Sequence, residues 1–170
     1  PHTAILKKNR MSSENHFTGK TQLNLSPFFE RTSKLNESQE WRRWSGYLSA
    51  TNYELTHENE YFAIRTKAAL LDISPLYKYR INGPDSQIFL DRLITRNLQI
   101  CKVGQVMYTP WCDDKGKVID DGTVQHLSKE NFRLTSAEPN LTWLMDNASD
   151  MDVNIIDDSS ATAALALQGP

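Results

Sequence analysis

Residues 105–136 carry the pattern that most constrains this chain. Gln105-Val106-Met107-Tyr108-Thr109-Pro110-Trp111 is rich in β-formers, Asp113-Asp114-Lys115-Gly116 has the composition of a hairpin turn, and Lys117 to Leu127 returns. Ser128-Lys129-Glu130-Asn131 makes a second turn, and Phe132 to Thr135 a third strand. Connections this short join antiparallel neighbours, because a parallel crossover needs a dozen or more residues. A three-strand meander is therefore predicted. Pro110 has no N–H to give to a ladder, which places its strand at a sheet edge or beside a bulge.

The flanking sequence supplies helices and further strands. Tyr61, Phe62, Ile64, Ala68 and Ala69 recur at helical spacing and predict an amphipathic helix over about 57–69, ended by Ser74-Pro75. Tyr77 to Ile81 alternates as a half-buried strand. Asn82-Gly83-Pro84 then turns into a helix with Pro84 at its start, Ile88, Phe89 and Leu93 on its inner face and Leu90 at the border. A short helix from Pro139 to about Asn147 turns Leu141, Leu144 and Met145 inward, and Val153 to Ile156 and Ala163 to Leu167 are two more strands. This order lacks βαβ regularity, so the predicted class is α+β, a mainly antiparallel sheet with flanking helices. Residues 1–26 are polar and predict a mobile tail, leaving a domain over 27–170 that opens on a helix entry at Ser26-Pro27-Phe28.

Several function classes find no support. A net charge of −2 with 24% charged residues gives no basic surface for nucleic acid. No apolar run approaches the length of a membrane span. Cys101 and Cys112, with His2, His16, His57 and His126, have no metal-ligand spacing, so no metal is expected and the cysteines read as two free thiols in a reducing compartment. No Gly-x-Ser-x-Gly elbow or Gly-rich phosphate loop is present.

The densest polar stretch is Lys115 to Thr123, with Asp120 and Asp121 adjacent on a predicted strand. Successive strand side chains point to opposite faces, so the two carboxylates cannot share one pocket, and Gly122 allows a bulge there. Tyr108, Trp111 and Trp143 are candidate aromatic walls for a flat heterocycle beside a carboxylate. Trp41-Arg42-Arg43-Trp44 reads as a loop packed on the domain or as a cation–π patch. Ile81-Asn82-Gly83-Pro84 is echoed by Leu167-Gln168-Gly169-Pro170, which predicts that a further helix would begin at Pro170.

Segments in order along the chain resemble the folate-dependent aminomethyltransferase family, the glycine cleavage T-protein and its relatives. They are Ser26-Pro27-Phe28-Phe29-Glu30, Trp44-Ser45-Gly46-Tyr47, Arg65 with Ala68 to Ser74, Ile81 to Pro84, Leu93-Ile94-Thr95, Met107-Tyr108-Thr109, Gly116 to Asp121 and Leu167 to Pro170. The resemblance covers the N-terminal part of a family member. It implies the fold of the T-protein's folate-binding domain, tetrahydrofolate as cofactor, and a small one-carbon donor or a lipoylated carrier protein as partner. It also implies a cytoplasmic or mitochondrial-matrix location. It makes Asp121 the catalytic carboxylate and places Tyr108, Thr123 and Ser136 at cofactor-binding positions.

Three departures from the T-protein pattern, at Pro75-Leu76, at Gly122-Thr123-Val124 and at Ser136-Ala137-Glu138, resemble branches that move other one-carbon units, such as demethylases of small methylated compounds. Two readings follow: the N-terminal part of a folate-dependent one-carbon transferase, or a non-catalytic folate-binding or interaction module of the same fold. Under the first, residues 1–170 alone are expected neither to catalyse transfer nor to bind folate tightly, since a pterin needs a cavity that surrounds most of its surface.

Overall fold

The computed structural model describes residues 23–170. The chain opens with a single helical turn, α1 (Phe29–Thr32), and a 3-10 turn at Ser33–Leu35. Strands β1 (Trp41–Trp44) and β2 (Tyr47–Ala50) pair as an antiparallel hairpin around Ser45 and Gly46, both at positive φ. Helix α2 (Glu58–Thr66) leads to β3 (Ala69–Asp72), and β4 (Tyr77–Asn82) follows. Helix α3 (Ser86–Leu93) precedes the meander of β5 (Val106–Cys112), β6 (Val118–Ser128) and β7 (Asn131–Ser136). Helix α4 (Leu141–Asn147), β8 (Asn154–Asp157) and β9 (Leu165–Gln168) complete the described chain.

The meander is present, and β4 and β8 extend it into a five-stranded sheet of order β5-β6-β7-β4-β8, antiparallel throughout. Pro110 lies on the edge strand β5, and the register shifts beside it at Trp111/Cys112. Gly116, at φ +75°, closes the β5–β6 turn. One face of the sheet is the core. Met107, Trp111, Val124, Phe132, Leu134, Tyr79 and Ile81 meet Phe89 and Leu90 of α3 and Leu144 of α4 there. Each such buried side chain contributes on the order of 1.5–3 kcal/mol. The opposite face carries Tyr108, Asp121, Thr123, Thr135, Arg133 and Lys78, and it is the face that bears on function.

Several expectations are corrected. Helix α2 ends at Thr66, and Ala69 to Asp72 instead form β3, which pairs with β9. Tyr61 and Phe62 are exposed and stack edge-on against each other, so α2 turns no apolar stripe into the core. On α3 the inner stripe is Ser86, Phe89 and Leu90, all buried, with Leu93 partly buried, at i, i+3, i+4 and i+7, and Ile88 is exposed. On α4, Met145 is exposed while Leu144 is buried. Pro27 and Pro84 each precede their helices by two residues rather than opening them. Trp41 to Trp44 is a strand, not a loop, with the Arg42 guanidinium 5.9 Å from the Trp44 ring centre. Of the segment read as a tail, Asn24 is tied to the β1–β2 hairpin through Gly46 and Leu48, and the Ser26 hydroxyl donates to Asp72. Residues 1–22 lie outside the described residues.

Candidate functional site

Cross-strand register assembles the site. Tyr108 on β5 stands opposite Thr123 on β6, Pro110 opposite Asp121, and Thr123 opposite Thr135 on β7, which in turn faces Lys78 on β4. Strand alternation turns all of these outward from the core. The Tyr108 hydroxyl donates to Asp121 Oδ2 at 2.8 Å. That hydrogen bond, ahead of partial desolvation and the Asp121 charge, raises the Tyr108 phenol above its ordinary pKa. A cavity of about 570 Å³ opens over this face, within the size range of small-molecule sites.

The cavity's far wall comes from two remote segments, Ile73 to Leu76 and Thr162 to Leu165. They are bound to each other: Ile73 N–H donates to Ala164 C=O at 3.0 Å, and Ala164 N–H donates to the Ser74 hydroxyl at 3.2 Å. Lys78 lies beneath this wall, only 2% exposed. Its ammonium donates to the carbonyls of Ser74 at 3.0 Å and Leu76 at 2.7 Å, which pins the turn. Burial, and then the neighbouring Arg133 charge, lower the Lys78 pKa. Arg133 and Arg80, directly opposite each other, both reach Asp158 Oδ2 at 3.4 Å.

Asp120 and Asp121 are separated as alternation requires. Asp120 is buried on the core side, where its carboxylate accepts from the N–H groups of Asp121 at 2.8 Å and Glu138 at 3.0 Å and from the Asn140 amide at 2.8 Å. Gly122 is not the site of a bulge; it meets β7 in register opposite Ser136. Its role is close approach, because a Cβ there would lie 1.8 Å from the Thr135 carbonyl oxygen.

The structure brings together Asp121, Tyr108 and Thr123. Ser136 borders the cavity, but it is buried and its hydroxyl donates to the Glu138 carbonyl at 2.9 Å. Trp111 belongs to the core, with its indole N–H toward Asn140 Oδ1 at 3.4 Å, and Trp143 packs at the core margin, so neither is a wall of this cavity. Thr135, Lys78 and Arg133 were not legible as site residues. Only the β6–β7–β4 register puts them on the Asp121 face. A second recess of about 320 Å³ lies between the β1–β2 hairpin, α2 and β3, lined by Phe29, Trp41, Tyr53, Glu60 and Asp72 among others.

Among the described residues no group of three or more His, Cys, Asp or Glu is placed to hold a metal ion. Cys101 and Cys112 are free, and no described helix is long and apolar enough to cross a membrane.

Residues 28–170 match the family described as the GCVT N-terminal domain. An aminomethyltransferase of Clostridium botulinum (strain Okra / Type B1) is 36% identical over 132 residues, which is 75% of this chain and 35% of that protein. A trimethylamine-oxide aldolase of Ruegeria pomeroyi is 39% identical over 114 residues, 65% of this chain and 14% of that protein. Among solved structures, the glycine cleavage system aminomethyltransferase T of Bartonella henselae superposes with a TM-score of 0.73 over 87% of this chain and 41% of its own, at 24% identity, a likeness of fold. The chain thus spans about a third of the length of the aminomethyltransferase it matches. With its antiparallel α+β architecture, the chain belongs to the GCVT N-terminal domain family.

Proposed function

We propose that this chain supplies the carboxylate-bearing wall of a tetrahydrofolate-dependent one-carbon transferase, with Asp121 as its catalytic residue. The observation that carries this reading is the Tyr108–Asp121 pair. Of two adjacent carboxylates, Asp121 is the one that faces the cavity, and the phenol holds one of its oxygens at 2.8 Å. The residues present suit a reduced pterin. A carboxylate and two threonine hydroxyls, Thr123 and Thr135, can meet ring nitrogens and exocyclic groups, while Ile73, Leu76 and Leu165 offer apolar contact. When bound, tetrahydrofolate supplies a nitrogen nucleophile that accepts the one-carbon unit.

The chain's part is electrostatic and positional. Tyr108 engages Asp121 Oδ2, which leaves Oδ1 and the second lone pair of Oδ2 as acceptors for a ligand. The carboxylate takes a proton from the nucleophilic nitrogen or supports the positive charge that develops on it. The buried Lys78 and the bonds between Ser74 and Ala164 hold the opposite wall in place. The donor is an aminomethyl or N-methyl compound, free or carried on a lipoylated protein. The location we propose is the cytoplasm or, in a eukaryote, the mitochondrial matrix.

In the intact protein, Asp121→Asn is expected to lower transfer to tetrahydrofolate by about 100-fold or more. Asp120→Asn is expected to lower it less. Equal losses, or full activity in Asp121→Asn, would contradict the assignment of Asp121, and an intact protein with no donor-dependent transfer would favour the non-catalytic module.

A further inference from the structure

Directly behind the candidate catalytic carboxylate lies a buried polar network joined to Asp121 through its backbone. Asp120 Oδ1 accepts the Asp121 N–H at 2.8 Å, and its Oδ2 accepts from Glu138 N–H at 3.0 Å and Asn140 Nδ2 at 2.8 Å. Asn140 is fixed in turn. Its N–H donates to the Tyr79 hydroxyl at 2.9 Å, its Nδ2 also donates to the Glu138 carbonyl at 2.9 Å, and its Oδ1 receives the Trp111 indole N–H at 3.4 Å. Tyr79 and Trp111 are core side chains, 0% and 1% exposed.

The location gives this network its consequence. Strand β7 ends at Ser136, opposite Gly122, so pairing with β7 stops one residue short of Asp121. On its other side Asp121 pairs with Pro110, whose carbonyl turns away from β6 and accepts from Thr95 N–H at 3.1 Å, so it offers the Asp121 amide no acceptor. Asp121 therefore sits where the ladder is least complete, and a neighbouring side chain satisfies its amide. A buried carboxylate with three N–H donors is strongly held, and a fully satisfied network of this kind rigidifies its surroundings.

We propose that Asp120 is a positioning residue: with Asn140, Tyr79 and Trp111 it clamps the 120–121 peptide and so fixes the direction in which the Asp121 side chain leaves the strand toward Tyr108. The clamp ties the aim of the carboxylate to core packing under α4. The inference takes its functional meaning from the role proposed for Asp121, yet the arrangement is measurable without any ligand.

The test uses the chain itself, labelled with ¹³C and ¹⁵N, in the absence of folate. In the wild type the Asp121 amide is expected to exchange with solvent on the order of 100-fold more slowly than an unprotected amide. The three-bond couplings of Asp121 are expected to report a single χ1 rotamer. In Asp120→Asn, exchange at this amide should accelerate at least about 10-fold, and the couplings should average over rotamers. Asn140→Ala keeps the Asp120 charge but removes one of its donors. It should loosen the Asp121 rotamer in the same sense and bring the Tyr108 phenol titration down toward its ordinary value.

An unprotected Asp121 amide in the wild type would overturn the proposal without recourse to any variant. So would a folded Asp120→Asn or Asn140→Ala that keeps the wild-type rotamer and Tyr108 titration. If Asp121 proves indifferent to tetrahydrofolate while these couplings behave as stated, the catalytic reading fails and the clamp stands.

Discussion

At the scale of single residues, the adjacent pair Asp120 and Asp121 shows what strand geometry can and cannot decide. Alternation alone separates the two carboxylates. It does not say which faces the core, and that choice came from the family resemblance. Their surroundings predict opposite responses to the same substitution. Asp120→Asn should cost about 2–3 kcal/mol, because a buried carboxylate loses charge-assisted bonds and its new amide N–H₂ meets donors. Asp121→Asn, on the exposed face, should stay within about 0.5 kcal/mol. Urea unfolding of the two variants checks this. The phenol of Tyr108 is a second probe. Its bond to Asp121 stabilises the protonated form, so it is present at neutral pH and lost as the pH rises through the raised pKa. Asp121→Asn should lower that pKa, read from the Tyr108 ¹³Cζ shift. Ser136 borders the cavity, yet its position on β7 puts its hydroxyl on the core side, one residue out of phase with Thr135.

At the scale of elements, the meander was legible because its turns carry chemistry that other conformations do not favour. Gly116 at φ +75° is the clearest case, and Gly116→Ala should cost about 1 kcal/mol through backbone strain alone, since nothing lies within 4 Å of the added methyl. Gly122→Ala is a different experiment. The methyl would collide with the β7 backbone at 1.8 Å, so a loss of at least about 3 kcal/mol, or failure to fold, is expected in the same thermal or urea series. Helices were read less well than strands. The stripe of α3 begins with a buried serine, Ser86, so counting apolar residues displaced the inner face toward Ile88. The β1–β2 hairpin was missed because Trp41-Arg42-Arg43-Trp44 does not alternate apolar with polar.

At the scale of the whole molecule, the least legible feature is what closes the site. Ladder β3–β9 joins residues 69–72 to 165–168, and the cavity wall depends on contacts between Ser74 and Ala164; no local pattern encodes either. Lys78 beneath that wall gives a global readout. Its pKa is lowered, so the unfolded chain holds the proton more tightly than the folded one, and its contribution to stability rises with pH up to about 10.4. Cys101, Tyr53 and Tyr79, raised by burial, act in the opposite sense as their unfolded counterparts ionise. The difference in unfolding free energy between wild type and Lys78→Met across pH 7 to 10 isolates the lysine. It should change in the direction of a wild type that gains relative to the variant as pH rises. The account as a whole turns on whether a reduced pterin meets Asp121. The most direct measurement is a ¹³C-carboxyl and tyrosine NMR titration of this chain with tetrahydrofolate at millimolar concentration. Saturable shifts of Asp121 and Tyr108 together, with Asp120 still and the response abolished in Asp121→Asn, are the predicted result. Shifts that leave Asp121 and Tyr108 unmoved, or that persist unchanged in Asp121→Asn, would contradict it.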